Sequence, residues 1–138
     1  MKRSWIPLAA AVMCLCGSAW AQQFSQPWGM IEAGDRSATR NEEPVAITRI
    51  DGRSTRNTRR PDAVEPGKRT VQVTFTSARG VVGEPNRTIE IDVQPCKRYR
   101  IAANFQTSAR SQWEPIVQAV EDIGECRRRF MSNPSKSK

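Results

Sequence analysis

Apolar and polar residues alternate with a period of two along three stretches of the chain. The first covers residues 70–77, and the other two, residues 87–93 and 99–105, lie on either side of the bend 94–97. A period of two is typical of a β-strand with one buried face. Proline, which this bend contains, fits the first corner of a tight turn because its φ is already fixed. The pattern predicts a strand over 70–77 and a β-hairpin over 87–105 with Cys96 in its bend.

Two further strands are predicted before residue 70. Residues 44–51 are rich in β-branched side chains and end at the turn dipeptide Asp51-Gly52. Pro44 cannot donate a backbone hydrogen bond, so we expect this first strand at the edge of a sheet. Residues 63–65 fit a second, shorter strand.

Residues 113–126 fit either a helix or a strand. Ser111 and Glu114 resemble a helix capping box, and the apolar residues that follow could form a helical stripe. The β-branched residues of this stretch support a strand instead. A last strand beside the predicted hairpin would bring Cys126 close to Cys96, and we therefore favour the strand.

Five to six short strands with turn residues between them predict a mainly β fold, a small antiparallel β-sandwich. The predicted domain covers residues 44–126, between a polar, flexible leader at 22–43 and a basic, disordered tail at 127–138. Nine inward-facing side chains form the predicted core: Val71, Val73, Phe75, Ile89, Ile91, Val93, Tyr99, Ile101 and Phe105.

Residues 1–21 have the pattern of a secretory signal peptide. Lys2 and Arg3 precede an apolar run, and small residues flank Trp20 at the expected cleavage site after Ala21. The apolar run is too short to span a membrane. We expect the mature chain to begin at Gln22, to reach the periplasm or the cell exterior, and not to span a membrane.

Export determines how the cysteines are interpreted. Cys14 and Cys16 lie inside the predicted signal peptide, so Cys96 and Cys126 are the two that remain. An even pair in an oxidising compartment predicts one disulfide, which here closes a loop of 31 residues. Two cysteines in a chain without histidine make a poor zinc site. We therefore expect no metal and no cofactor.

The composition gives little support for catalysis. The absence of histidine removes the usual general base and the Ser–His and Cys–His nucleophile pairs. Glu90 and Asp92 share the polar face of a predicted strand, and paired carboxylates can perform acid–base chemistry. A solvated strand face explains the same two residues, so we expect a protein that is not an enzyme.

The positive charge favours an anionic partner. The net charge is +8, or +6 without Lys2 and Arg3, and basic residues concentrate in 49–69. They gather at one end of the domain if Ile50 and Val71 lie on neighbouring strands. Aromatic residues for base stacking are not interleaved with them, and export argues against nucleic acid. The predicted ligand is an anionic envelope polymer or a lipid headgroup, and the candidate anion-binding residues are Arg53, Arg56, Arg59, Arg60, Lys68 and Arg69.

A second hypothesis concerns a protein partner. An exposed edge near residues 44–51 could accept an extended segment of an envelope protein by strand addition. The protein would then be an accessory that docks on this partner.

Three motifs occur in the order IDG at 50–52, EPGKRTVQV at 65–73 and IDVQPCKRY at 91–99. They resemble the motifs of PEGA-like and transthyretin-like β-sandwich domains of the bacterial envelope. The region around Cys96, with the later WEP and GEC motifs, also resembles exported proteobacterial proteins. These resemblances imply a small β-sandwich and no catalytic residues. Cys96 stands where PEGA-like domains usually have glycine in the turn.

Overall fold

The computed structural model describes residues 25–58, 60–75, 84–105 and 112–132. The predicted signal peptide lies outside the described residues. Within them the chain forms nine strands and one helix: β1 (Gly29–Ala33), β2 (Glu42–Pro44), β3 (Ala46–Ile50), β4 (Arg53–Ser54), β5 (Asp62–Val64), β6 (Gly67–Thr74), β7 (Asn86–Val93), β8 (Lys97–Phe105), β9 (Trp113–Asp122) and α1 (Gly124–Phe130).

The strands form two sheets, as in a β-sandwich. The four-stranded sheet has the order β4-β3-β6-β7. In the five-stranded sheet, β9 pairs along one side of β8, whereas β1 and β2 pair along the other, and β5 pairs with β1. The pairing of β1 with β8 is parallel and every other pair of named strands is antiparallel. The predicted fold class is confirmed, with more strands than the five to six expected.

The core lies between the two sheets. All nine predicted core side chains belong to it; Ile89 is half-buried and the other eight are buried. Phe75 packs with its ring centroid 5.1 Å from that of Phe105 and 5.7 Å from that of Trp113. The core also contains five buried residues that are not among the nine predicted side chains: Ile31, Val45, Ile47, Ala103 and Trp113.

The predicted hairpin over residues 87–105 is wrong in its pairing. β7 pairs with β6 and β8 pairs with β9, so the two strands belong to different sheets. In the bend, Cys96 has a φ of 58°. The Tyr99 hydroxyl accepts a hydrogen bond from the Gln94 amide at 2.9 Å and donates to the Asp92 carbonyl at 3.2 Å. The bend thus carries the chain across the sandwich, and the apolar faces of the two strands meet in the core.

The flexible leader predicted for residues 22–43 is wrong for much of its length. Residues 29–33 form β1, which lies between β5 and β8, and Ile31 on this strand is fully buried. β2 also begins inside the predicted leader, at Glu42. The folded domain therefore starts before residue 44.

The strand interpretation of residues 113–126 is confirmed for β9. The chain then forms α1, whose first turn contains Cys126, and the disordered tail predicted from residue 127 is wrong for the part that α1 includes. Residues 133–138 of that tail lie outside the described residues. No helix in the described part of the chain is long and apolar enough to cross a membrane.

The predicted disulfide between Cys96 and Cys126 is confirmed, with the two Cα atoms 5.3 Å apart. A second, smaller apolar cluster surrounds it and includes Trp28 and Ile123. The Cys96 amide donates a hydrogen bond to the Trp28 carbonyl at 2.8 Å, and the Ile123 amide donates to the Cys96 carbonyl at 2.9 Å. The disulfide therefore links α1 to the bend between β7 and β8, beside the chain that leads into β1.

Candidate anion-binding surface

The candidate surface is built on the hairpin of β3 and β4. Its turn residues Asp51 and Gly52 have φ values of 49° and 77°. A two-residue type I′ turn requires positive φ at both positions, and Asp-Gly is one of the sequences that favour it. Ile50 and Arg53 pair directly across this turn. The turn dipeptide in the sequence therefore indicated the position of this hairpin correctly.

Backbone and side-chain hydrogen bonds join the loop after β4 to the outer edge of β3. The Thr55 amide donates to the Thr48 carbonyl at 3.0 Å, and the Ile47 amide donates to the Thr58 carbonyl at 2.9 Å. The Thr55 hydroxyl donates to the Ile47 carbonyl at 2.6 Å. This edge is the one that was predicted to accept a partner strand at residues 44–51. That location is wrong, because β4 and its loop already occupy the edge.

Four exposed arginines lie on this hairpin and its loop. Arg49 is on β3, opposite Ser54 of β4, and Arg53, Arg56 and Arg60 follow along the chain. We call these four residues the arginine edge. Among the described residues, no carboxylate lies within ion-pair distance of their guanidinium groups, whereas Arg69 has such partners.

The structure places the rest of the predicted set as follows. Lys68 is exposed on β6, opposite Asp92 of β7. Arg59 lies outside the described residues. Ile50 pairs with Val71, so the condition under which the basic residues gather at one end of the domain is met.

Arg69 differs from the other candidate residues, because its guanidinium is used to hold the fold. It donates to the Asp51 carboxylate at 2.9 Å and to the carbonyls of Glu65 and Pro66 at 2.9 and 3.2 Å. The other Asp51 oxygen accepts the Thr70 amide at 2.9 Å. Arg69 therefore has an internal carboxylate partner, and its predicted role in anion binding stays a prediction. Arg69 fixes the base of the hairpin against the start of β6.

The same contacts predict the acid–base behaviour of Asp51. The hydrogen bond from the Thr70 amide, and then that from Arg69, hold the pKa of Asp51 below its ordinary value. Because the folded pKa is lowered, the interaction stabilises the fold above the ordinary pKa of aspartate and is lost as the pH falls through the folded pKa. We expect Arg69→Met to raise the pKa of Asp51, measured by NMR titration of its carboxyl carbon.

The control for this titration is Arg56→Met, which removes an equal charge from the loop and should leave the Asp51 pKa unchanged. An unchanged Asp51 pKa in Arg69→Met would contradict the conclusion that the Arg69 guanidinium stabilises the Asp51 carboxylate.

An open cleft of about 610 Å³ lies between this hairpin and β5. Arg53 and Arg69 line it together with Asp51, Asp62 and Glu65, so the cleft presents both signs of charge. One oxygen of Asp62 is buried without a hydrogen-bond partner among the described residues, and burial raises the pKa of this carboxyl. The uniformly basic surface is therefore the arginine edge and not the cleft.

The acidic residues that the structure describes do not assemble into a metal site. Among the described residues, no three His, Cys, Asp or Glu side chains come together in a way that could hold a metal ion. Glu90 and Asp92 are exposed on β7, where they lie opposite Thr70 and Lys68 of β6.

No family model matches the chain, and no curated protein or solved structure is significantly similar to it. The resemblance to PEGA-like and transthyretin-like domains therefore stays a prediction from the sequence motifs.

Proposed function

We propose that this protein is a non-enzymatic domain of the cell envelope that binds an anionic polymer or anionic lipid headgroups through the arginine edge. The supporting observation is the set of exposed guanidinium groups that have no carboxylate partner within the described structure. A guanidinium presents parallel N–H donors that match two oxygens of a phosphate or carboxylate.

The backbone of the hairpin also favours binding. The turn at Asp51-Gly52 and the hydrogen bonds of Thr55 and Thr58 hold the arginine-bearing backbone in place. A surface whose backbone is fixed in advance loses less conformational entropy on binding. Several weak contacts to one polymer chain then raise the overall affinity, because each bound anionic group keeps the next anionic group of the polymer close to the surface.

The disulfide is compatible with the location that this function requires. Structural disulfides form and persist in the periplasm and outside the cell, and are rare in the cytosol. The Cys96–Cys126 bond thus supports an oxidising compartment, in which lipid phosphates and acidic polymers are available as ligands.

The test is co-sedimentation of the oxidised protein with lipopolysaccharide and, separately, with phosphatidylglycerol vesicles, over a series of salt concentrations. We expect the triple variant Arg53→Ser, Arg56→Ser, Arg60→Ser to weaken binding roughly tenfold at low salt and to lower the salt dependence. The matched control is Arg36→Ser, Arg128→Ser, Arg129→Ser, which has the same net charge but changes exposed arginines elsewhere.

The two ligands separate the sources of negative charge. Binding to lipopolysaccharide but not to the vesicles would assign the surface to a polymer, and binding to both would assign it to headgroup phosphates. The proposal would be contradicted by binding that is insensitive to salt, by an equal loss in the control variant, or by no binding to either ligand.

A further inference from the structure

The side of the sandwich opposite the arginine edge lacks a covering strand. β4 and β7 are the two outer strands of the four-stranded sheet. In the other sheet β9 lies at one edge, and β2 and β5 lie at the opposite edge. β7 and β9 are in contact across the sandwich. The cleft beside the arginine edge is lined by residues of β4 and β5. The outer edges of β7 and β9 therefore bound the opposite side, which we call the open side.

Two exposed valines show that part of the core face on the open side is uncovered. Val117 and Val120 of β9 pair with Ile101 and Tyr99 of β8, and directly paired residues share one face of a sheet. Ile101 and Tyr99 are 0% and 6% exposed, because they face the core. Val117 and Val120 are 38% and 51% exposed on that same face. Among the described residues, the four-stranded sheet leaves this part of β9 uncovered.

The edges of the other outer strands carry features that hinder strand addition. β5 is three residues long and pairs Asp62 with buried Ile31, so that a carboxyl points towards the core. β4 has two residues, β2 has three and ends at Pro44, and β9 contains Pro115 and a break in register at Gln118.

By contrast, β7 pairs with β6 in unbroken register over all eight of its residues, from Asn86 to Val93. It contains no proline, and no strand in the described structure pairs with its other edge. At one end of this edge, the Arg87 guanidinium lies 5.9 Å from the centroid of the Trp113 ring. At the other end, the Asp92 carbonyl already accepts a hydrogen bond from the Tyr99 hydroxyl. The accessible part of the edge therefore runs from Thr88 to Ile91.

We propose that β7 accepts an extended segment of another polypeptide, in which aliphatic residues alternate with lysine or arginine. A strand added about 4.8 Å beyond β7 would lie opposite β9, at roughly the 10 Å spacing of packed sheets. Its inward side chains would bury Val117 and Val120. Its outward side chains would lie beside Glu90 and Asp92, and opposite charges on neighbouring strands attract.

The charges on β7 also argue against a second copy of this chain as the occupant. Antiparallel pairing of two β7 strands would bring the Glu90 and Asp92 carboxylates of both copies close together. Like charges on neighbouring strands destabilise such a pairing. A basic segment meets no such repulsion.

The test uses two labelled peptides, Lys-Val-Lys-Val-Lys-Val-Lys and Glu-Val-Glu-Val-Glu-Val-Glu, with the full-length oxidised protein. Fluorescence anisotropy measures the affinity, and NMR hydrogen exchange locates the binding. We expect only the lysine peptide to bind and to slow exchange of β7 amides between Thr88 and Ile91. The variant Val117→Ser, Val120→Ser should weaken binding roughly tenfold or more, since two apolar side chains are lost from the contact.

The matched control is Met131→Ser, which removes an exposed apolar side chain at the end of α1 instead of on β9 and should leave the affinity unchanged. The triple arginine variant should also bind the lysine peptide normally, which keeps this result independent of the proposed function. Equal binding of the two peptides, no binding of either, or protection of amides outside β7 would overturn the proposal. Protection of β7 that grows with protein concentration in the absence of peptide would also overturn it, because the occupant would be a second copy.

Discussion

We expect the double variant Cys96→Ala, Cys126→Ala to lose about 3.7 kcal/mol in the free energy of unfolding, as the chain-entropy relation gives for a 31-residue loop. The disulfide removes conformations from the unfolded chain and thereby stabilises the fold. It also holds α1 over the bend between β7 and β8. The free energy of unfolding of a small domain is about 5–15 kcal/mol, so the disulfide accounts for a large fraction of the total stability.

Urea unfolding monitored by tryptophan fluorescence measures this loss, and thermal unfolding should show a Tm lower by roughly 15 °C or more. Either single variant opens the same bond, so Cys96→Ala alone should lose nearly as much as the double variant. Reduction of the wild-type protein provides an independent comparison. A loss below about 1 kcal/mol would contradict the stabilising role of the loop closure.

The second large effect concerns β1, which the sequence pattern placed in a flexible leader. We expect Ile31→Ala to cost about 2–5 kcal/mol, the range for truncating a buried aliphatic side chain to alanine. Ile31 is fully buried between the sheets, and its strand joins β5 to β8. The same urea measurement provides the value.

The matched control is Val120→Ala, because Val120 is an exposed aliphatic residue of the same sheet. Its truncation should cost less than about 1 kcal/mol. If Ile31→Ala costs no more than this control, residues 29–33 do not belong to the core.

The strands with clear alternation could be predicted from the sequence because one of their faces is buried. Val71 and Val73 of β6, and Phe75 directly after it, are buried, and polar residues occupy the positions between them. The disulfide could be predicted by elimination, since Cys96 and Cys126 are the only cysteines outside the predicted signal peptide. Neither inference requires knowledge of which strands pair with each other.

The pairing of strands could not be predicted in the same way. β7 and β8 show the alternation of a hairpin, but an alternating strand has the same pattern whether its neighbour lies beside it or across the core. β1 has only five residues, and its position depends on a parallel pairing with β8, whose partner residues begin at Arg98. Nothing near residue 29 in the sequence indicates a partner so distant along the chain.

For the candidate surface, too, the sequence predicted the composition of the region but not its three-dimensional contacts. The abundance of arginine between residues 49 and 69 indicated a basic region. It did not distinguish Arg69, which is held by Asp51, from Arg53 and Arg56, which are exposed. That distinction depends on the type I′ turn, which brings the Asp51 carboxylate next to the start of β6.

The most direct test of the arginine edge is an NMR titration of the arginine Nε–Hε signals with lipopolysaccharide. We predict that the signals of Arg53, Arg56 and Arg60 shift together and in a salt-dependent manner. The chemical shifts of Arg69, which is bound to Asp51, and of Arg128, which lies on α1, should not change. Equal shifts of all exposed arginines, or no shift at the arginine edge, would contradict the proposed binding surface.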